Sequence, residues 1–463
     1  AGSGYRLCKI LGASGPLSFY DWYCDLPPGE PMTWSVQTEE SEEADWLNAK
    51  LLIFWGANVA ESRLAAAHLL QEAKYRGTKV YAIFTDYNAT ARMADVFLSP
   101  KPGTDAAFVN GVINYLIETG SIDVDYVKTF TDLPFLIRKD NKKFLTEADL
   151  KKDGSPFKLF VYDNNSMKPV NPPGTLGDDR DTLDLKRYSI DPSLYYEGKV
   201  KLANGKEVEV ETVFLRLKRE VSKFTPEKVF QITGIGEEAL KQFAFDVATK
   251  KPAMIIGGGG VNHWFNNDIN NRSMILLLAL TGNIGKRGGG FSQYTGQYKV
   301  WLSGLGKYGM ILKARPQNTT LFAWTHYDAE LYKLGKTFEE IVKEIEAGRL
   351  KRLPNGAPVS AKPEDGWAYN YYLLLKSLAD NWIPVYPKPP KRPRAMVIWR
   401  SNFLNQGKGG YNTIKWFKDE GKLEFIVTID FRINSTALFS DVVLPAATWY
   451  AVSYTHLTLP TKA

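Results

Sequence analysis

Two carboxylates and one thiol stand among four aromatic rings in Ser18-Phe19-Tyr20-Asp21-Trp22-Tyr23-Cys24-Asp25-Leu26-Pro27-Pro28. Prolines stop regular structure and aspartates favour turns, so the block reads as a rigid turn pressing a carboxylate against an aromatic wall. Carboxylate oxygen is a hard donor, suited to a hard, high-valent metal ion. A structural aromatic turn whose aspartates cap local backbone is the alternative. The only other cysteine is Cys8, and without a CxxC pair the chain itself offers neither a thiolate zinc site nor an iron–sulfur site. No basic residue flanks Cys24 to favour its thiolate, so it reads as a plain buried thiol.

Glycine-bearing polar loops are the second feature that could do chemistry. Leu51–Trp55 is a short apolar run ending at Gly56, with Asn58 close behind. Lys79–Phe84 ends at Thr85-Asp86, and Val96–Leu98 is followed by Pro102-Gly103-Thr104-Asp105, which opens a helix from Ala106 to about Glu118 with Thr104 or Asp105 as its cap. A second series follows, with a helix over Glu237–Thr249 and a strand over Ala253–Ile256 that closes on Gly257-Gly258-Gly259-Gly260. A helix over Asn271–Leu280 leads to another glycine loop, Gly282-Asn283-Ile284-Gly285-Lys286-Arg287-Gly288-Gly289-Gly290. Later strands over Ala395–Trp399 and Phe425–Ile429 end on Arg400-Ser401-Asn402 and on Asp430. Backbone N–H groups in glycine loops can approach a phosphate, and an acid such as Asp86 can accept from ribose hydroxyls or a guanine edge. Together these loops point to a large phosphorylated cofactor. Tight turns between packed elements are the alternative for each. No GxGxxG or GxxxxGK[ST] pattern is present, which disfavours ordinary NAD binding and NTP hydrolysis.

The elements that must position these groups are short apolar runs alternating with helical spacing. Runs without alternation suit parallel strands buried on both faces. The expected fold class is therefore α/β, with two doubly wound Rossmann-like domains whose ligands sit at the carboxyl ends of the strands. The stretch from about 140 to 215 is rich in Gly, Pro, Asn and Asp and reads as a loop-rich excursion. The connection from about 331 to 393 reads as peripheral.

The bulk numbers narrow the function class. At 463 residues with 44% hydrophobic and 13% aromatic content, the chain can fill more than one core. No apolar run nears the roughly 18 residues of a membrane span. The net charge of +7 is spread out rather than set in a Lys/Arg stripe with interleaved aromatics, so no nucleic-acid partner is expected, although an anionic substrate would be favoured.

Trp55-Gly56-Ala57-Asn58, Pro102-Gly103-Thr104-Asp105, Thr281 to Gly290 and Ser440-Asp441-Val442-Val443-Leu444-Pro445 resemble the molybdopterin oxidoreductases of the DMSO reductase family. Ser18 to Pro28, Asn262-His263-Trp264, Trp399 to Asn402 and Thr448-Trp449-Tyr450 resemble its nitrate-reductase branch. The resemblance runs from about 1 to 450. It implies molybdenum held by two molybdopterin guanine dinucleotides (bis-MGD), with Asp25 as the protein ligand and catalytic centre. By the same resemblance, Gly56, Asn58, Asp86, Gly103, Thr104 and Asp105 would hold one dinucleotide. Gly257, Gly258, Gly259, Gly260, Asn283, Arg400, Ser401 and Asp430 would contact the cofactors from the other half, and His263 is a candidate pterin neighbour or a packing histidine. The implied reaction is oxygen-atom transfer from nitrate. Relatives acting on selenate, chlorate, perchlorate, nitrite, dimethyl sulfide or ethylbenzene are alternatives, as is a non-catalytic scaffold of the complex I type.

The implied domains are 1–45 with 251–450 as a molybdenum-proximal domain and 46–250 as a dinucleotide-binding domain. Residues 451–463 are expected to be a non-native tail, so His456 enters no site. The resemblance further implies an internal fragment, with an iron–sulfur cluster only in a missing N-terminal part. It implies an iron–sulfur beta subunit and a membrane haem subunit as partners, and a peripheral place in a membrane-associated respiratory complex on an undetermined side.

Overall fold

The structure is a computed structural model that describes residues 29–34, 41–174, 185–264, 267–293, 334–353, 358–380, 394–406, 410–421 and 423–447. The chain divides into two compact units, 26–300 and 1–25 with 301–463.

In the first unit, β1 (Leu51–Trp55), β2 (Lys79–Ile83) and β3 (Val96–Leu98) come first along the chain. β4 (Leu136–Arg138), β5 (Val161–Asp163), β6 (Lys168–Val170), β7 (Glu197–Lys201) and β8 (Glu207–Thr212) build the excursion. β9 (Ala253–Gly257) and β10 (Gly290–Ser292) then complete the main sheet, in the order β10-β9-β1-β2-β3, with every pair parallel. All five residues of β1 and of β9 are buried, which explains why neither shows polar alternation.

Alternate side chains enter two cores. Leu51, Ile53, Trp55 and Ile255 pack with helices Asp105–Glu118, Glu237–Thr249 and Asn267–Leu280. Leu52, Phe54, Met254 and Ile256 pack with Trp46 and with Leu70 of helix Ala67–Tyr75. Sheet and helices thus make three layers. Each fully buried large apolar side chain contributes about 1.5–3 kcal/mol relative to exposure. One buried polar cluster pins the sheet to its cover, where Asp246 accepts from Tyr81 Oη at 2.6 Å and from Lys79 Nζ at 2.5 Å.

A domain boundary at 250 does not hold in the sheet. β9 pairs with β1 along its whole length, from Leu51↔Ala253 to Trp55↔Gly257, so chain on both sides of residue 250 builds one sheet. Apolar runs reveal strands but not their neighbours.

The excursion holds an antiparallel sheet β4-β8-β7 and a β5-β6 hairpin. In the second unit, β11 (Ala395–Trp399), β12 (Phe425–Asp430) and β13 (Val442–Pro445) form a parallel sheet. Helices Phe338–Glu346 and Trp367–Ala379 of that unit share a separate core around Ile341, Ile345, Leu375 and Leu378. Both parallel sheets use one clamp. The Asp95 N–H donates to Val80 O while its carboxylate accepts from Val80 N at 2.8 Å. Asp441 does the same to Ile426, accepting at 2.7 Å.

Candidate functional site

From β1 the chain runs through β2 to β3 on one side, whereas β9 lies on the other side of β1 and leads to β10. The strand order reverses between β1 and β9, and the crevice of a doubly wound sheet opens at such a reversal, at the carboxyl ends. Gly56-Ala57-Asn58 and Gly257 to Gly260 are the loops that leave those two ends.

The two loops are joined backbone to backbone. Gly258 N–H donates to Trp55 O at 3.0 Å, Gly260 N–H to Gly56 O at 3.2 Å, and Gly56 N–H to Ile83 O at 3.0 Å. Gly56 has φ +60°, a conformation that favours glycine. A Cβ on Gly258 would lie 2.2 Å from Gly56 O and 2.5 Å from Ala57 Cα. The loops meet because side chains are missing at this point.

The third loop joins them through one indole. Trp264 Nε1 donates to Gly260 O at 2.9 Å, and its ring lies 3.3 Å from where a Cβ on Gly103 would stand. Thr104 is the N-cap position, but its hydroxyl donates to Lys101 O at 2.7 Å rather than accepting from the helix. Asp105 opens the helix, is buried, and accepts from Trp55 Nε1 at 2.7 Å. Burial pushes its pKa upward, and the indole and a backbone N–H oppose that rise. Asn58 donates to Glu61 at 2.6 Å and accepts from Thr90 Oγ1 at 2.8 Å. Asp86 and His263 are exposed at the ends of β2 and of the short helix Gly259–Asn262.

Beneath the loops lies a buried asparagine network. Asn267 Nδ2 donates to Asn262 O at 2.5 Å, Asn270 Nδ2 to Val261 O at 3.0 Å and Asn271 Nδ2 to Asn262 Oδ1 at 2.9 Å. Asn270 Oδ1 accepts from Ala106 N at 3.1 Å and Asn271 Oδ1 from Gly29 N at 3.3 Å. The glycine loop is therefore held from below by helix Asn267–Leu280. The signal in the sequence was three asparagines at helical spacing, 267, 270 and 271. Gln293, just past β10, is fully buried, and among the described residues neither its Oε1 nor its Nε2 has a hydrogen-bond partner. Nothing in the sequence marked it.

The second glycine loop lies elsewhere. It precedes β10 and sits at the amino ends of the strands, where Gly288 N–H donates to Asp45 Oδ2 at 2.7 Å. Asn283 there accepts from Ala253 N at 2.9 Å and donates to Thr281 Oγ1 at 2.8 Å and Val247 O at 3.4 Å. Its amide is consumed in stapling a strand start to two helices. Asn283 is thus not brought together with the residues at the carboxyl ends, because a loop entering a parallel strand lies at the opposite edge from one leaving it.

In the second unit, Arg400 and Ser401 follow β11 and Asp430 closes β12, at adjacent carboxyl ends. Arg400 has φ +55° and its N–H donates to Ile429 O at 3.2 Å. Asp430 accepts from Phe431 N at 2.7 Å and from Asn434 Nδ2 at 2.9 Å, which orders the loop after β12. Asp25 lies outside the described residues, among which no group of three or more His, Cys, Asp or Glu side chains could hold a metal ion.

The family model for molybdopterin oxidoreductases matches residues 2–451. The chain is 36% identical to the perchlorate reductase subunit alpha of Dechloromonas aromatica, covering 97% of this chain and 47% of the relative. It is 35% identical to the respiratory nitrate reductase subunit alpha of Haloferax mediterranei, covering 97% and 43%. It is 29% identical to the respiratory nitrate reductase 1 alpha chain of Escherichia coli, covering 97% and 47%. The chain therefore spans about half the length of these relatives.

Proposed function

This chain belongs to the molybdopterin oxidoreductase family, and from that premise we propose that it is the cofactor-holding part of a catalytic subunit that takes an oxygen atom from an oxyanion, with nitrate the first substrate. Membership implies an oxidoreductase with molybdenum and a molybdopterin. The observation that carries the proposal is the reversal of strand order between β1 and β9, with Gly56, Gly258 and Gly260 placed there. The residues fit such a group. Backbone meets backbone at the reversal where side chains are absent, and the Gln293 amide, buried next to Gly257, has no partner among the described residues.

In this proposal Gly56, Asn58, Asp86, Gly103, Thr104 and Asp105 hold a guanine dinucleotide, and Gly257 to Gly260 and His263 hold its continuation. Asp86, exposed at the end of β2, is free to accept hydrogen bonds from hydroxyls or a guanine edge. Arg400, Ser401 and Asp430 are cofactor contacts at the ends of β11 and β12. Asp25 would supply a carboxylate oxygen, a hard donor, to the metal. Molybdenum bound there supplies two-electron oxygen-atom transfer, so that nitrate with two electrons and two protons gives nitrite and water. The electrons arrive from an iron–sulfur beta subunit and a membrane haem subunit, with this chain peripheral to the membrane. No helix among the described residues is long and apolar enough to cross one.

Perchlorate is the second reading, favoured by the relative at 36% identity. The test is the full-length subunit produced in a molybdenum-cofactor-competent host, analysed for metal and assayed with reduced viologen against nitrate, perchlorate, chlorate and selenate. Nitrate turnover is expected. Turnover of another oxyanion without nitrate removes the first substrate, and a protein that takes up no molybdenum removes the catalytic reading in favour of a scaffold.

A further inference from the structure

A glutamine side chain with no exposure and no partner is an expensive thing to fold around. Buried amides are almost always hydrogen-bonded, and leaving one unmade costs about 1–3 kcal/mol. Among the described residues, Gln293 has no partner for three bonding groups, its Oε1 and the two N–H of Nε2, at 0% exposure. Its place is specific. Ser292 pairs with Ile256, so Gln293 stands level with Gly257, where β9 ends beside the reversal of strand order. A Cβ on Gly257 would stand 3.6 Å from Gln293 Oε1 and only 2.8 Å from the Phe291 ring. Because position 257 carries no side chain, the Phe291 ring takes the space a Cβ would fill and packs beside the amide.

Resting on the family's cofactor reading above, we propose that the Gln293 carboxamide binds the molybdopterin cofactor by hydrogen-bonding a lactam edge, meaning an adjacent N–H and C=O. An amide offers an acceptor and donors side by side, and a lactam offers their complement. The cofactor carries such an edge in its pterin and, in dinucleotide form, in its guanine. The amide is then a binding group whose hydrogen bonds the cofactor completes.

The experiment uses Gln293→Met in the full-length subunit, produced with and without cofactor synthesis. Methionine keeps the length and removes the polar atoms; Gln293→Leu is the second apolar variant if the first misfolds. Without cofactor, the variant should unfold at a temperature about 2 °C or more higher than the parent, because an unsatisfied group has been removed. With cofactor, the gain in unfolding temperature on loading should shrink, and molybdenum and pterin should be lost on dialysis about tenfold faster. GDP added to cofactor-free protein distinguishes the two edges. A GDP-induced rise that the variant lacks assigns the guanine, whereas a loading defect without any such difference assigns the pterin. An equal gain on loading in parent and variant overturns the proposal while leaving the family reading intact. A parent that loads no molybdenum and no pterin overturns both.

Discussion

Replacing Gly258 with alanine adds one methyl group where the loops after β1 and β9 touch. The φ of Gly258 is −128°, open to any residue, so the backbone conformation is no obstacle. The obstacle is contact, since the new carbon would lie 2.2 Å from Gly56 O and 2.5 Å from Ala57 Cα, against 3.4 Å or more for ordinary contacts. Neither neighbour can step aside cheaply, because Gly56 is tied to Ile83 O and Gly258 to Trp55 O. Overpacking costs 1–3 kcal/mol where side chains can adjust, and with backbone on both sides the cost should reach about 3 kcal/mol. Two controls separate this from a general cost of losing glycine. Gly77 has open space but φ +85°, so Gly77→Ala should cost about 1 kcal/mol through conformation alone. Gly236 has open space and φ −69°, so Gly236→Ala should stay within about 0.5 kcal/mol of the parent. Denaturant titration of the three full-length variants gives the order. A Gly258→Ala protein as stable as Gly236→Ala would show that the two loops do not meet, and would remove the geometry on which the cofactor site rests.

Asp105→Asn keeps an acceptor for Trp55 Nε1 and removes a titrating group. Because burial raises the Asp105 pKa, the folded state holds that proton more tightly than the unfolded chain, so stability falls as pH rises from the ordinary carboxylate value toward the raised one. The asparagine variant should lose that fall, which unfolding midpoints at pH 4.5 and 7.5 would reveal; an unchanged slope assigns it elsewhere. Asp246 has the opposite sign. Burial raises its pKa, but hydrogen bonds from Lys79, Tyr81 and Gln242 outweigh burial and hold it below the usual carboxylate range. Its contribution is present above the ordinary value and fades as pH drops toward the lowered one, and Asp246→Ala should cost about 3 kcal/mol at pH 7 by calorimetry or denaturation. Asp95→Ala and Asp441→Ala should each cost about 1 kcal/mol, since both carboxylates are exposed while the N–H groups they serve start inner strands; an effect from only one would break the parallel between the sheets. Asp25→Ala should lower nitrate turnover about 100-fold with the fold intact, and full turnover in that variant would dismiss the carboxylate as a metal ligand.

The strands and helices were largely legible because burial leaves a linear trace. Leu51 to Trp55 reads as a strand covered on both faces, and helix Glu237–Thr249 falls where apolar spacing placed it. Glycine loops after strands likewise marked the crevice, because a loop's order along the chain settles which strand it leaves. The same logic, unused, would have set Gly282 to Gly290 at the other edge, since that loop enters β10 rather than leaving a strand. The asparagines at 267, 270 and 271 shared a helix face, but their partners, Ala106 and Gly29, are remote in the chain.

By itself the amino-acid order determined the α/β class, the candidate loops at strand ends and the family, since each is written in local runs of residue types. Tertiary structure decided which strands are neighbours, that 253–257 lies against 51–55, that Asn283 staples the far edge, and that the Gln293 amide is buried without a partner among the described residues. Those facts depend on pairings between residues tens to hundreds of positions apart, which no local run of residue types records.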